Sequence, residues 1–136
     1  MFKILTVIGT RPQIIKSTII STELRRFKHV KEIVVDTGQH YDYKMSNIFY
    51  EELNLRKPDI NLNVGSGSHA FQLSQMIQKI DNVVKETLPD LMIVYGDTNS
   101  TVSAAIVGSR NKIKICHIEA GVRSFNKSMP EEVNRI

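Results

Sequence analysis

Apolar positions along this chain fall into two alternating patterns. Residues 3–8, 32–36, 91–95 and 112–118 are short runs, apolar nearly throughout and rich in β-branched side chains. Such runs suit strands covered on both faces, as in a parallel sheet. Between them the apolar residues recur at helical spacing. Residues 12–27 carry Ile14, Ile15, Ile19, Ile20 and Leu24 on what reads as one helix face. Thr10 and Gln13 are spaced as a capping box, with Pro12 in the first turn. Residues 43–53 group Met45, Ile48, Phe49 and Leu53, and residues 69–87 form a long amphipathic pattern from Phe71 to Val84. Residues 98–109 predict a further helix, and another opens near Pro130. Residues 58–67 are punctuated by Pro, Asn, Gly and Ser and read as a loop, Gly65-Ser66-Gly67 included. Strands separated by helices need crossovers, so the pattern predicts an α/β fold: a parallel sheet with helices on both faces.

Bulk properties narrow the class without changing that picture. At 136 residues the chain has the size of one domain. Its apolar runs are far shorter than the ~20 residues that cross a bilayer, so no membrane partner is expected. Nothing before residue 3 resembles a signal peptide. The single cysteine, Cys116, leaves no internal disulfide and fits a reducing, cytoplasmic setting. It is expected to be a buried thiol, between Ile115 and His117 on a core strand. The net charge of +4 is dispersed. Its one cluster, Arg25, Arg26 and Lys28, suits the end of a helix, where cations meet the negative end of the dipole. No aromatic-interleaved basic stripe points to nucleic acid.

Ligands of open parallel sheets bind beyond the carboxyl ends of the strands. There the chain places Gly9-Thr10-Arg11 with Lys16, Thr37-Gly38-Gln39-His40, Gly96-Asp97-Thr98 and His117-Ile118-Glu119-Ala120-Gly121. Arg11 and Lys16 flank a helix start that is already electropositive, an arrangement that favours an anion such as a phosphate. Neither a Walker pattern nor G-x-G-x-x-G follows the first strand, so no dinucleotide cofactor is expected. No group of residues has metal-ligand spacing. Asp97 suits a helix N-cap, and Ser128 with Glu131 suits a capping box. Glu119 has no such capping duty. Asp97 and Glu119 come from successive strand ends, so the two carboxylates can face one cleft as acid and base. Strand alternation puts His117 on the side of Glu119, as a supporting group. A flavodoxin-like signalling domain fits poorly, because Arg11 and Lys16 stand where its acidic pair would be.

Together these motifs resemble the non-hydrolysing UDP-N-acetylglucosamine 2-epimerases. Val7-Ile8-Gly9-Thr10-Arg11-Pro12 with Ile15-Lys16 is similar to the family's opening signature. Tyr95-Gly96-Asp97-Thr98, His117 to Arg123, and Met129-Pro130-Glu131-Glu132-Val133-Asn134-Arg135 follow its later ones in order. The resemblance implies one Rossmann-like half of a two-domain, glycosyltransferase-B-like fold. Residues 1–136 would be an N-terminal domain cut short, lacking the domain that binds UDP and supplies a histidine. It implies a UDP-sugar substrate, a homodimer, no cofactor and no metal. The implied reaction inverts C2 by loss of the C2 proton and of UDP, through a glycal, to give UDP-N-acetylmannosamine. By position, Arg11 and Lys16 match substrate-contacting cations, Asp97 and Glu119 match carboxylates at the sugar, and Glu131 matches a third carboxylate required for turnover. Most members carry Glu where this chain has Gln13. Gln there, with Ser124-Phe125-Asn126, is similar to members that epimerise UDP-2,3-diacetamido-2,3-dideoxyglucuronate. Tyr41 after Gln39-His40 departs from the Gln-His-Arg segment by which some members are activated by their own substrate. A non-catalytic sugar-nucleotide-binding module is the alternative reading.

Overall fold

In the computed structural model, which describes residues 1–39 and 43–136, the chain is a five-stranded, fully parallel sheet. The elements are β1 (Phe2–Ile8), α1 (Arg11–Leu24), β2 (Val30–Asp36), α2 (Tyr43–Glu52), β3 (Ile60–Asn61), α3 (His69–Thr87), β4 (Leu91–Tyr95), α4 (Asn99–Arg110), β5 (Lys114–Ile118) and α5 (Pro130–Arg135). The strand order is β3-β2-β1-β4-β5. It reverses direction between β1 and β4, so the loops that follow those two strands open a crevice at the carboxyl edge.

Alternation along the strands feeds two cores. Leu5, Val7, Val35, Met92 and Val94 pack with Met76, Ile80, Val83 and Val84 of α3 and with Ala104 and Val107 of α4. On the other face Ile4, Ile8, Val34, Ile93 and Tyr95 pack with Ile14 of α1 and Tyr50 of α2. The predicted pair of covered faces is therefore present over β1, β2 and β4. Edge strand β3 is only two residues long and lies inside the stretch expected to be a loop. It pairs Val35 with Ile60 and Asp36 with Asn61. Two residues are too few for any periodic signal.

Several expectations need correction. In α1 the inward positions are Gln13, Ile14, Ser17 and Ser21, whereas Ile15 and Ile19 are 49% and 70% exposed. Isoleucines lie on several sides of this helix, so apolar spacing alone did not fix its inner face. Among the described side chains of α2 Tyr50 is buried and Ile48 half-exposed, as is Leu53 just after the helix. His40 and Tyr41 lie outside the described residues, as does the side chain of Met45. β5 begins at Lys114, because Lys112 turns through positive φ. Cys116 is exposed, not buried. Among these five strands β5 is the other outer one, and Lys114, Cys116 and His117 are exposed along it. An apolar run does not reveal whether its strand is central or at an edge.

Candidate active site at the carboxyl edge

The floor of the crevice is built from short polar side chains that tie one strand end to the next. Gly9 follows β1 and carries no Cβ; one there would overlap Ser100 Oγ and Thr37 Oγ1. Those two hydroxyls are 2.8 Å apart, and Ser100 Oγ donates to Gln39 Oε1 at 2.6 Å. Gln13 does not complete the expected box with Thr10, whose side chain makes no cap bond. Its Oε1 accepts from Gly9 N–H at 2.8 Å, and its Nε2 donates to Tyr95 O at 2.7 Å and Thr98 Oγ1 at 2.9 Å. One buried amide thus joins the ends of β1 and β4. It uses both its acceptor and its donors, so the buried amide itself is satisfied.

Asp97 is not the cap of α4. Thr98 is, in a reciprocal capping box with Thr101. The Asp97 side chain is therefore free to go elsewhere, and it meets Arg135: Asp97 Oδ2 accepts from Arg135 Nε at 2.8 Å and also from Nη2. Asn134 Nδ2 donates to Asp97 O at 3.0 Å. Helix α5, 38 residues downstream, thus grips the β4 loop through both backbone and side chain. The cap of α5 is Met129, without a side-chain cap bond, so Ser128 and Glu131 do not form the expected box. Glu131 is exposed and lines a cavity of about 240 Å³ together with Asp97, Thr10, Gln39 and His69.

Glu119, the residue after β5, stands in the left-handed region at φ +64°, as does Gly96, the residue after β4, at φ +66°. Glycine takes that conformation freely, whereas an L-residue is held there at a cost of about 1–2 kcal/mol. The Glu119 carboxylate pairs with Lys16 Nζ, each side chain 46% exposed. A Cβ at Gly96 would lie 3.9 Å from Glu119 Oε2 and 3.9 Å from Gln13 Nε2, so the carboxylate lies over the glycine next to Asp97. His117 Nε2 donates to Gly96 O at 2.6 Å, bracing the same turn from beneath. Lys16, Glu119 and the Asp97 loop therefore converge. Arg11, at the first turn of α1, instead places its guanidinium 5.2 Å from the Phe49 ring centroid, toward α2.

The side chain that holds this edge together is Glu132, fully buried. Its Oε2 accepts from Arg123 Nε at 2.9 Å and Nη2 at 2.7 Å; its Oε1 accepts from Ser124 N–H at 3.1 Å and Arg135 Nη1 at 3.2 Å. The Arg123 fork, foremost, holds the Glu132 carboxyl down at about 2, against the upward push of burial. Hydrogen bonding to Asp97 raises Arg135 further above its ordinary value. Glu132, Arg123, Arg135 and Asn134 were visible only as parts of the motif. The one local signal was the Glu-x-x-Arg spacing on a short helix. Among the described residues, no group of three His, Cys, Asp or Glu side chains is placed to hold a metal ion. No described helix is long and apolar enough to cross a membrane.

Residues 22–136 match the family model described as UDP-N-acetylglucosamine 2-epimerase. The chain belongs to that family. A Methanococcus maripaludis protein named a UDP-N-acetylglucosamine 2-epimerase homolog is 53% identical over 98% of this chain, but only 37% of the relative is covered. The Pseudomonas aeruginosa UDP-2,3-diacetamido-2,3-dideoxy-D-glucuronate 2-epimerase is 47% identical over 98% of this chain and 38% of its own length. The crystal structure of Methanocaldococcus jannaschii UDP-GlcNAc 2-epimerase with UDP-GlcNAc and UDP superposes with a TM-score of 0.91 at 44% identity, over 98% of this chain and 37% of that one. This family member thus spans a little over a third of the length of the relatives it matches, and its Rossmann-like sheet corresponds to one half of their two-domain fold.

Proposed function

We propose that this chain is the first Rossmann-like domain of a cytoplasmic, homodimeric UDP-N-acetylglucosamine 2-epimerase, which inverts the sugar at C2. The observation that carries the proposal is the meeting of Lys16 and Glu119 over Gly96, beside Asp97, at the point where the strand order reverses. A C2–H bond is weakly acidic, so its removal needs a placed base, and two carboxylates on adjacent strand ends supply a base and an acid. As the C2 proton leaves to a carboxylate, the C1–O bond to UDP breaks and a C1–C2 double bond forms. Protonation of C2 on the opposite face and return of UDP to C1 complete the inversion. Asp97, Glu119 and Glu131 are the carboxylates assigned to this chemistry. Arg11 and Lys16 are assigned to the substrate, whose diphosphate gains charge on departure and is stabilised by cations; Lys16 stands at Glu119, and Arg11 would turn from Phe49 to reach it. A second domain, as in the longer relatives, would close over the sugar and hold the UDP.

The 47% identity to the Pseudomonas aeruginosa relative supports a second substrate reading, the UDP-2,3-diacetamido-2,3-dideoxyglucuronate that its name specifies. The test is to incubate the intact protein in heavy water with each sugar nucleotide and follow C2 by proton NMR. Exchange at C2 with formation of the manno product supports the proposal and names the sugar. Binding without exchange supports a non-catalytic module instead.

A further inference from the structure

Asp97 is held in an unusual way for a reacting carboxylate. Both hydrogen bonds from Arg135 go to one oxygen, Oδ2, and among the described residues Oδ1 accepts none. The guanidinium making those bonds is itself held from its other edge, where Nη1 donates to Glu132 Oε1. Glu132 spends its second oxygen on the two-pronged bond from Arg123. Were Glu132 only a staple for the 123–129 loop, Arg123 and Ser124 would complete it, and Oε1 would have no reason to reach Arg135.

We infer that Glu132 is a positioning residue that clamps the Arg135 guanidinium from behind, so that Asp97 presents Oδ1 to the cleft. This rests on the assignment of Asp97 to the reacting sugar. An arginine gripped at both edges cannot rotate about its last bonds. The carboxylate it holds is then fixed in orientation as well as in place, which matters because proton transfer depends steeply on geometry.

The test uses the intact protein with E132Q, E132D and R135K. In E132Q the neutral amide keeps the size but weakens the hold on both arginines. The Arg135 Nε–H resonance should then exchange with solvent about 10-fold faster or more, and kcat should fall about 10- to 100-fold with KM within about 3-fold, the signature of lost orientation rather than lost binding. E132D, which keeps the charge, should recover part of both. Unchanged Arg135 exchange in E132Q, or a rise in KM with kcat intact, overturns the inference. Should E132Q disrupt α5 altogether, R135K serves: it keeps Glu132 and the charge but loses the fork, and wild-type kcat in R135K overturns the inference. If the wild-type protein shows no C2 exchange with either sugar nucleotide while E132Q still loosens Arg135, the clamp stands and the functional assignment fails.

Discussion

Glu32 and Glu132 are both buried glutamates, with side chains 3% and 1% exposed, yet they are used in opposite ways. Glu32 lies within β2, facing α1. Thr6 Oγ1 donates to it at 2.6 Å, and Arg56 Nη1 approaches at 3.5 Å. Arg56 spends its better contacts on Asp59, at 2.9 and 3.0 Å, and the Asp59 carboxylate in turn accepts Val34 N–H at 2.8 Å. That network ends within the scaffold: it fastens the connection into β3 to β2. Glu132 lies at the carboxyl edge, and its network runs outward through Arg135 to Asp97 in the cleft. Burial alone therefore does not mark a functional acid. What distinguishes the two is where the chain of charge-assisted hydrogen bonds ends.

The sharpest way to break that contrast is at the cleft end of the Glu132 network. Asp97→Asn keeps size and one acceptor but cannot carry a proton as a carboxylate does. It should lower kcat about 10²- to 10⁴-fold in a C2-exchange assay. Stability should change little, because Arg135 retains Glu132. If D97N turns over at near wild-type rate, Asp97 is a structural acid like Glu32, and the contrast collapses.

Acid titration comes next. The Glu132 carboxyl is lowered from 4.5 to about 2, chiefly by Arg123. A depressed carboxyl adds stability that is fully present above its unfolded value and is lost as pH falls through the folded one. The docking of α5 on Arg123 and Ser124 should therefore hold down to about pH 4.5 and weaken progressively toward about pH 2. The Arg123 and Arg135 Nε–H resonances report it directly. Their loss well above pH 4.5, with the rest of the fold intact, would show that Glu132 is not what holds the segment.

At the scaffold end, Thr6→Val removes the short hydroxyl contact to Glu32 while nearly preserving shape. A buried acceptor deprived of its best donor costs about 1–3 kcal/mol. Urea unfolding of the intact protein should show that loss with C2 exchange unaltered. A fall in exchange rate would mean that the two glutamates are not separable.

How much of this was legible beforehand follows the same division. The four long strands and the helices between them announce themselves by period, because a buried parallel strand and an amphipathic helix need different spacings. The residues at the strand ends were legible as a set, since topology alone brings them to one edge. Their partners were not. Asp97 reads locally as a cap, but the Thr98 and Thr101 hydroxyls, three apart, had the better claim, and the side chain went to Arg135 instead. The exposure of Cys116 and the pairing of β3 depend on which strands form the edges, a property of the whole sheet. The inner face of α1 was hidden because polar Gln13, Ser17 and Ser21 are buried there while Ile15 and Ile19 are not.

The smallest effect gives the finest test, at Glu119. It and Gly96 each directly follow a strand, β5 and β4, with nearly the same φ, +64° and +66°, but only one of them is glycine. Holding an L-residue there costs about 1–2 kcal/mol. Its ion pair with Lys16, each side chain 46% exposed, returns about 0–1 kcal/mol. Glu119→Gly relieves the first and forfeits the second, and it adds about 0.5–1 kcal/mol of chain entropy to be lost on folding. By these figures the net change in stability lies between about −1 and +1.5 kcal/mol, centred near zero, by urea unfolding. Glu119→Gln keeps the strained conformation and gives no such relief. Both should lose C2 exchange, because both remove the carboxylate. A strained carboxylate whose replacement by glycine costs no stability has been kept at that turn for its chemistry. If E119G instead destabilises by several kcal/mol, the Lys16 pair is the reason the residue is there, and Glu119 belongs with Glu32.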